Sequence, residues 1–181
     1  MQTKKMMIKK LLYRFSLYKI GLMRNRFYIL PYHMVSECPN GFYPESAKSN
    51  FEKEIRHLSE KYRILSLSEI VERARKRQSI KGCVAITFDD GFRDNFTNVF
   101  PILKKYNAPA TIFLITGCID SGNAPWFIKF RHAFMTTNKK ELNIELYDKN
   151  FCLPLITYDD KFQSSNILMN HLKNMKNGQR L

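Results

Sequence analysis

Residues 84–95 read VAITFDDGFRDN, and the densest chemistry of the chain lies in two adjacent carboxylates, Asp89 and Asp90, where a hydrophobic run meets Gly91. In a strand, successive side chains point to opposite faces, so both acids can serve one site only where the strand ends and the backbone turns. Gly91 permits that turn. Two carboxylates this close do not easily both stay ionised without a cation. A metal resolves the conflict: one carboxylate binds it, and the other, left free, acts as a base on the metal's water. The pair fits metal-assisted hydrolysis with labour divided between neighbours, and spacing alone leaves open which aspartate does which. An EF-hand is excluded, because its loop needs carboxylates at alternate positions and a distant glutamate. The competing reading is a plain Asp-Gly turn with Asp94 capping the next helix.

The elements around the pair sharpen the choice. CVAITF at 83–88 is apolar without alternation, as expected of a strand covered on both faces in a parallel sheet. Carboxylates at the C-terminal ends of such strands sit where α/β folds place their active sites. NVFPILKKYN then reads as a helix with Phe100, Leu103 and Tyr106 inward, and PATIFLITG at 109–117 as the next buried strand. Strand, helix and strand within about 35 residues give an α/β class with a parallel sheet or barrel.

Upstream, FYILPYHMV at 27–35 reads as a buried strand with His33 near its end, followed by a loop carrying Pro39, Gly41 and Pro44. Ser49 and Glu52 form a capping-box pattern ahead of the helical stripe Phe51, Ile55, Leu58 and Tyr62. Ser66 and Glu69 repeat the pattern before a short helix, IVERARKR, and RILSL is an extended link between the two. After Gly122 the texture changes to a helical WFIKFRHAFM, an alternating ELNIELYDKNFCLPL around an Asp-Lys-Asn turn, and an amphipathic NILMNHLKNM. The expected organisation is a basic amphipathic segment at 1–26, an α/β part at 27–122 and an insertion-like tail at 123–181.

Charge is distributed unevenly. The net charge is +14, and eight cations, from Lys4 to Arg26, precede the first acid, Glu37. This block favours anionic surfaces, whether phospholipid headgroups, acidic glycans or nucleic acid, or is a solvated basic helix. Its apolar positions Ile8, Leu11, Leu12, Phe15, Tyr18 and Leu22 recur at helical spacing, which suits either a membrane surface or packing onto the domain. No nucleic-acid recognition motif accompanies the charge. No run is long and apolar enough for a transmembrane helix or a clear signal peptide, so the expected location is cytoplasmic or inner-membrane-associated. The four cysteines form no C-x-x-C pair and read as single thiols.

AITFDDGFRDNFTNVFPILKKYNAPATIFL resembles the first motif region of the polysaccharide deacetylase family, the NodB-homology domain. FYILPYHMV and FEKEIRHLSEKYRILSLSEIV are similar to the strand and helix that precede that motif, so the resemblance covers roughly Phe27 to Ile119. The tail from Trp126 resembles an insertion found in a subset of the family. The implied fold is a partial (β/α) barrel with a C-terminal helix-hairpin-helix insertion. The implied function is metal-dependent hydrolysis of N-acetyl groups from an N-acetylhexosamine glycan, a polysaccharide or oligosaccharide. By position, the resemblance makes Asp89 the general base that activates water and Asp90 a ligand of a divalent metal, usually zinc, with Thr87 and Gly91 as motif scaffolding. His33 faces the same rim, or else is a strand-end histidine bonded to backbone.

The resemblance also implies a second motif, two histidines four residues apart, and this chain lacks it: its histidines are His33, His57, His132 and His171. A catalytic zinc takes three protein ligands, so the ligand set is incomplete in this chain. His57, His132 and His171 are expected to be exposed or to pack. The expectation is an N-terminal part of a deacetylase whose open sheet edge invites self-association and whose activity alone is weak or nil. The alternative is a non-catalytic module that binds an anionic glycan or a membrane surface.

Overall fold

A computed structural model describes residues 27–119, 121–147 and 149–175; the basic segment at 1–26 lies outside the described residues. The chain divides into two compact units, one built from 27–39 with Glu45–Leu114, the other from Asn40–Pro44 with the residues from Ile115 onward.

The first unit is α/β. Its sheet centres on strand β5, Cys83–Phe88, which pairs in parallel with β1, Tyr28–Tyr32, on one side. On the other side it pairs with two short strands, β4, Arg63–Ile64, and β6, Ala110–Ile112. All six residues of β5 are buried, because helices cover both of its faces. Ile86 and Phe88 join Phe51 and Ile55 of helix α1, Lys48–Lys61, and Val99, Ile102 and Leu103 of the segment that follows β5. Cys83 and Ala85 pack on the opposite face against Leu65 and Ile70, the latter on helix α2, Leu67–Arg75. A small separate sheet pairs β2, Met34–Ser36, with β3, Glu45–Ala47, in parallel. Among the described residues the main sheet is open, with β1 at one edge.

Several expectations change. The run at 27–35 is two strands, not one: pairing with β5 stops at Tyr32, and Met34–Ser36 turns to β3, leaving His33 between them. β1 alternates half-buried and exposed residues instead of being buried throughout. The strand expected at 109–117 shrinks to three residues, and Leu114 beyond it is 57% exposed. Ser49 does not cap α1: the cap position is Ala47, without a side-chain hydrogen bond. Ser66 does cap α2, as its Oγ accepts the Glu69 N–H at 3.2 Å and the Glu69 carboxylate accepts the Ser66 N–H at 3.2 Å.

The helix after β5 also departs from expectation. It begins with a π-helical turn, Asn95–Val99, and becomes α-helix α3 at Phe100–Lys105. The Phe100 N–H reaches back five residues to the Asn95 carbonyl. Pro101 follows at once, and its ring and missing N–H are incompatible with a regular α-helical bond at that point. The wider turn accommodates both. The extra residue rotates Phe100 outward, where it is 52% exposed and stacks on Phe96, while Leu103 stays inside.

The second unit holds helix α4, Trp126–Thr136, strands β7, Glu141–Leu146, and β8, Lys149–Pro154, paired antiparallel, and helix α5, Tyr158–Asn174. Its core joins Phe42, Phe134, Leu153, Leu155 and Leu168. Thr157 and Asp160 form a capping box at the start of α5. Strand pairing runs to Leu146 opposite Lys149, so the bend falls before the Asp-Lys-Asn triplet's end, with Tyr147 in the left-handed region at φ 57°.

The two serines provide a test. Ser66→Ala should lower unfolding free energy by about 0.5–2 kcal/mol in urea titrations, the usual effect of losing a cap. Ser49→Ala should leave it within about 0.5 kcal/mol, as expected for a surface change that breaks no cap. Equal losses would show that Ser49 caps after all.

Candidate active site

The two aspartates follow the last residue of β5, and the backbone treats them differently. The Asp89 N–H still extends the sheet ladder, donating to the Tyr32 carbonyl at 2.9 Å. Asp90 then adopts φ 71° and Gly91 φ 66°, two left-handed residues in succession that turn the chain off the sheet. For Gly91 this conformation needs no side chain, and a Cβ there would stand 2.3 Å from the Leu114 Cδ2. For Asp90 the conformation is uncommon, though aspartate tolerates it better than most residues. The turn is what lets neighbouring residues of one strand share a rim.

His33 reaches that rim from β1's end. Its Nε2 lies 3.9 Å from the Asp89 Oδ2, beyond hydrogen-bond length but within ion-pair range, and the two side chains are 40% and 43% exposed. Burial pushes the Asp90 carboxyl above the usual aspartate range; His33 pulls it back and Asp89's charge adds to the rise. Thr87 is buried within β5, opposite Pro31 of β1 and Thr111 of β6.

Asn95 and Asn98 escaped the sequence reading, and Asp94 acts otherwise than as the expected helix cap. The Asp94 carboxylate accepts the Val35 N–H instead of capping the following helix. The Asn95 Nδ2 donates to the His33 carbonyl at 2.9 Å, and the Asn98 Nδ2 donates to the Val35 carbonyl at 2.7 Å. Burial also lifts the Asp94 carboxyl, against the bond from Val35. The available signal was a run of polar residues, Asp94, Asn95 and Asn98, where the helix must face the core beside Val99.

The remaining histidines stand elsewhere. His57 is exposed on α1, His132 is exposed on α4, and His171 packs edge-on to Phe151 with ring centroids 5.0 Å apart. Among the described residues no three His, Cys, Asp or Glu side chains converge as a metal cluster. These residues therefore do not by themselves fit a three-ligand ion. A groove of about 480 Å³ is lined by Tyr28, Tyr32, Glu54 and His57 on the α1 side of β1, and the aspartates take no part in it. There the Tyr32 hydroxyl donates to the Glu54 carboxylate at 2.9 Å.

Part of the chain is similar to known proteins. Residues 76–147 match the family model for polysaccharide deacetylase. YxkH of Bacillus subtilis, whose name places it among polysaccharide deacetylases, is 40% identical over 90 residues, 48% of this chain and 31% of that protein. The poly-beta-1,6-N-acetyl-D-glucosamine N-deacetylase of Staphylococcus aureus is 37% identical over 102 residues, 56% of this chain and 32% of that enzyme. Among solved structures, the Streptococcus pyogenes deacetylase PplD in complex with acetate is 28% identical with a TM-score of 0.49, covering 59% of this chain and 51% of that one. The chain spans about a third of the length of the curated relatives it matches. Its matched stretch is similar to part of a polysaccharide deacetylase domain. Among the described residues no helix is long and apolar enough to cross a membrane.

The lifted Asp90 carboxyl gives a signed pH dependence. A group whose folded pKa is raised favours the folded state below its ordinary value of about 3.8, and that contribution is lost as pH climbs through the folded value. Asp90→Asn should therefore gain stability relative to the unmodified chain as pH rises from acid to neutral, read from urea midpoints. A gap that stays constant over that range would show that the Asp90 carboxylate is not desolvated.

Proposed function

We propose that Asp89 and Asp90 form the strand-end part of a polysaccharide N-deacetylase centre that acts on an N-acetylhexosamine polymer or oligomer. The observation that carries this reading is the aspartate pair itself, set at the C-terminal end of a doubly buried parallel strand, within the stretch that matches the deacetylase family. Relatives named for the same chemistry support it. The reaction is hydrolysis of an acetamide: water adds to the acetyl carbonyl, the carbon–nitrogen bond breaks, acetate departs and the sugar nitrogen leaves as an amine. Asp89 is the general base. Its carboxylate is 43% exposed, so a substrate water can reach it. His33 stands beside Asp89 at the same rim, and Thr87 and Gly91 hold the turn.

In this reading Asp90 supplies one ligand of a divalent metal, zinc in the first instance, and the other ligands come from outside the described residues. A two-part experiment tests this. Zinc titrated into the 181-residue chain should show no tight one-equivalent site that Asp90→Ala removes, and the chain should release no acetate from N-acetylglucosamine oligomers. Grafting the 102 matched residues into the Staphylococcus aureus enzyme should give an active chimera. In that chimera Asp89→Asn should lower kcat by about 10²–10⁴, the usual share of a general base. A folded chimera that binds substrate yet releases no acetate would sink the deacetylase reading. Acetate release by the chain alone would show that the site is complete without further ligands.

A further inference from the structure

We infer that Asn95, flanked by Asp94 and Asn98, is a positioning residue that holds the His33 imidazole against Asp89. At Tyr32 the carbonyl is taken by the Asp89 N–H, the last bond of the β1–β5 ladder. Beyond it the ladder cannot continue, because Asp90 and Gly91 turn away with positive φ. The next backbone groups would be left facing the interior unpaired, a costly state. Side chains from the π-helical turn take the place of the missing strand. Asn95 binds the His33 carbonyl, Asp94 the Val35 N–H and Asn98 the Val35 carbonyl. Val35 is fully buried, so these bonds fix the segment firmly. Its opposite side is free to pair with β3.

This clamp decides where His33 points. His33 is the residue at which the chain changes partner, from β5 to β3. Fixing its carbonyl fixes its peptide plane, and with it the direction in which its side chain leaves the backbone. The result is the imidazole at 3.9 Å from Asp89. Asn95 is also an unfavourable choice for stability alone. It is only 3% exposed, and its Oδ1 has no hydrogen-bond partner among the described residues. An apolar residue of similar shape would avoid that burial penalty. What it would lose is the bond to His33. The π-helical turn has the same logic, as the register shift of Asn95–Val99 ends one residue beyond Asn98, the last member of the clamp.

The functional meaning of this placement rests on the proposed role of Asp89 as base, whereas the placement itself does not, and the experiment separates the two by needing no turnover. Imidazole proton–carbon correlation spectra of the 181-residue chain are recorded at one neutral pH, with His33 assigned through His33→Gln. In Asn95→Leu the His33 signal should move to the position it takes in Asp89→Ala, while the signals of His57 and His171 stay in place. A folded Asn95→Leu chain with the His33 signal unmoved overturns the inference. Should that variant fail to fold, the unmodified chain decides the matter. The Asn95 side-chain amide protons should exchange far more slowly than those of exposed Asn50, and equal exchange rates overturn the inference.

Discussion

Strand β5 is dry on both faces, and the rest of the first unit follows from that constraint. Cys83 and Ala85 meet the α2 side, Ile86 and Phe88 meet α1 and the helix after β5, and Thr87 is the sole polar side chain among the six. A carboxylate anywhere along this stretch would be stripped of water without compensation. Charge can therefore appear only at the strand's end, and there two acids appear together. The end of the strand is also the end of the ladder, marked by the Asp89 N–H on Tyr32. One hydrogen bond thus anchors the base proposed here to β1, whose next residue is His33.

The turn after β5 makes two demands at once. It must reverse the chain sharply enough to set Asp89 and Asp90 on one rim, and it must start a helix whose inner face covers Phe88. Consecutive left-handed residues meet the first demand. The second is met by a helix that does not begin regularly. Pro101 forbids an ordinary bond at its position, and the preceding π-helical turn carries Asn95 and Asn98 around to the β1–β2 junction while Val99 stays in the core. The irregularity that sequence patterns hide is what brings side chains to backbone groups that have lost their strand partner.

The sequence made legible whatever depended on local pattern. CVAITF announced a doubly buried strand by its lack of alternation, and its bounds match β5. Ser66 and Glu69 announced a capped helix because the bond they make spans three residues. The aspartate pair was legible for the same reason, as a break in polarity at a glycine. What stayed hidden depended on partners far along the chain. The strand break at His33 is imposed by residues about sixty positions away, Asp94, Asn95 and Asn98, and nothing within FYILPYHMV signals it. Ser49 satisfied the capping pattern but lost the cap to Ala47, since β3 pairs up to that residue and the helix starts directly after it. Phe100 looked inward at a period of 3.6 residues, a period the π-helical turn does not keep.

The plain-turn reading of Asp-Asp-Gly can be weighed against the functional one by what each explains. A turn needs a residue that tolerates positive φ at position 90, and asparagine would do so without adding a second charge beside Asp89. Instead the chain keeps an aspartate there whose carboxyl burial pushes upward, in a conformation uncommon for residues with a side chain. Five residues on, it buries an amide whose oxygen has no partner among the described residues. Each feature works against stability, and each lies within a few residues of the same rim. Local penalties that gather at one place, beside a core as well packed as Phe51, Ile86, Phe88 and Val99, support the proposal of a site built for chemistry over that of a connecting turn. The core supplies the stability that lets this turn remain strained.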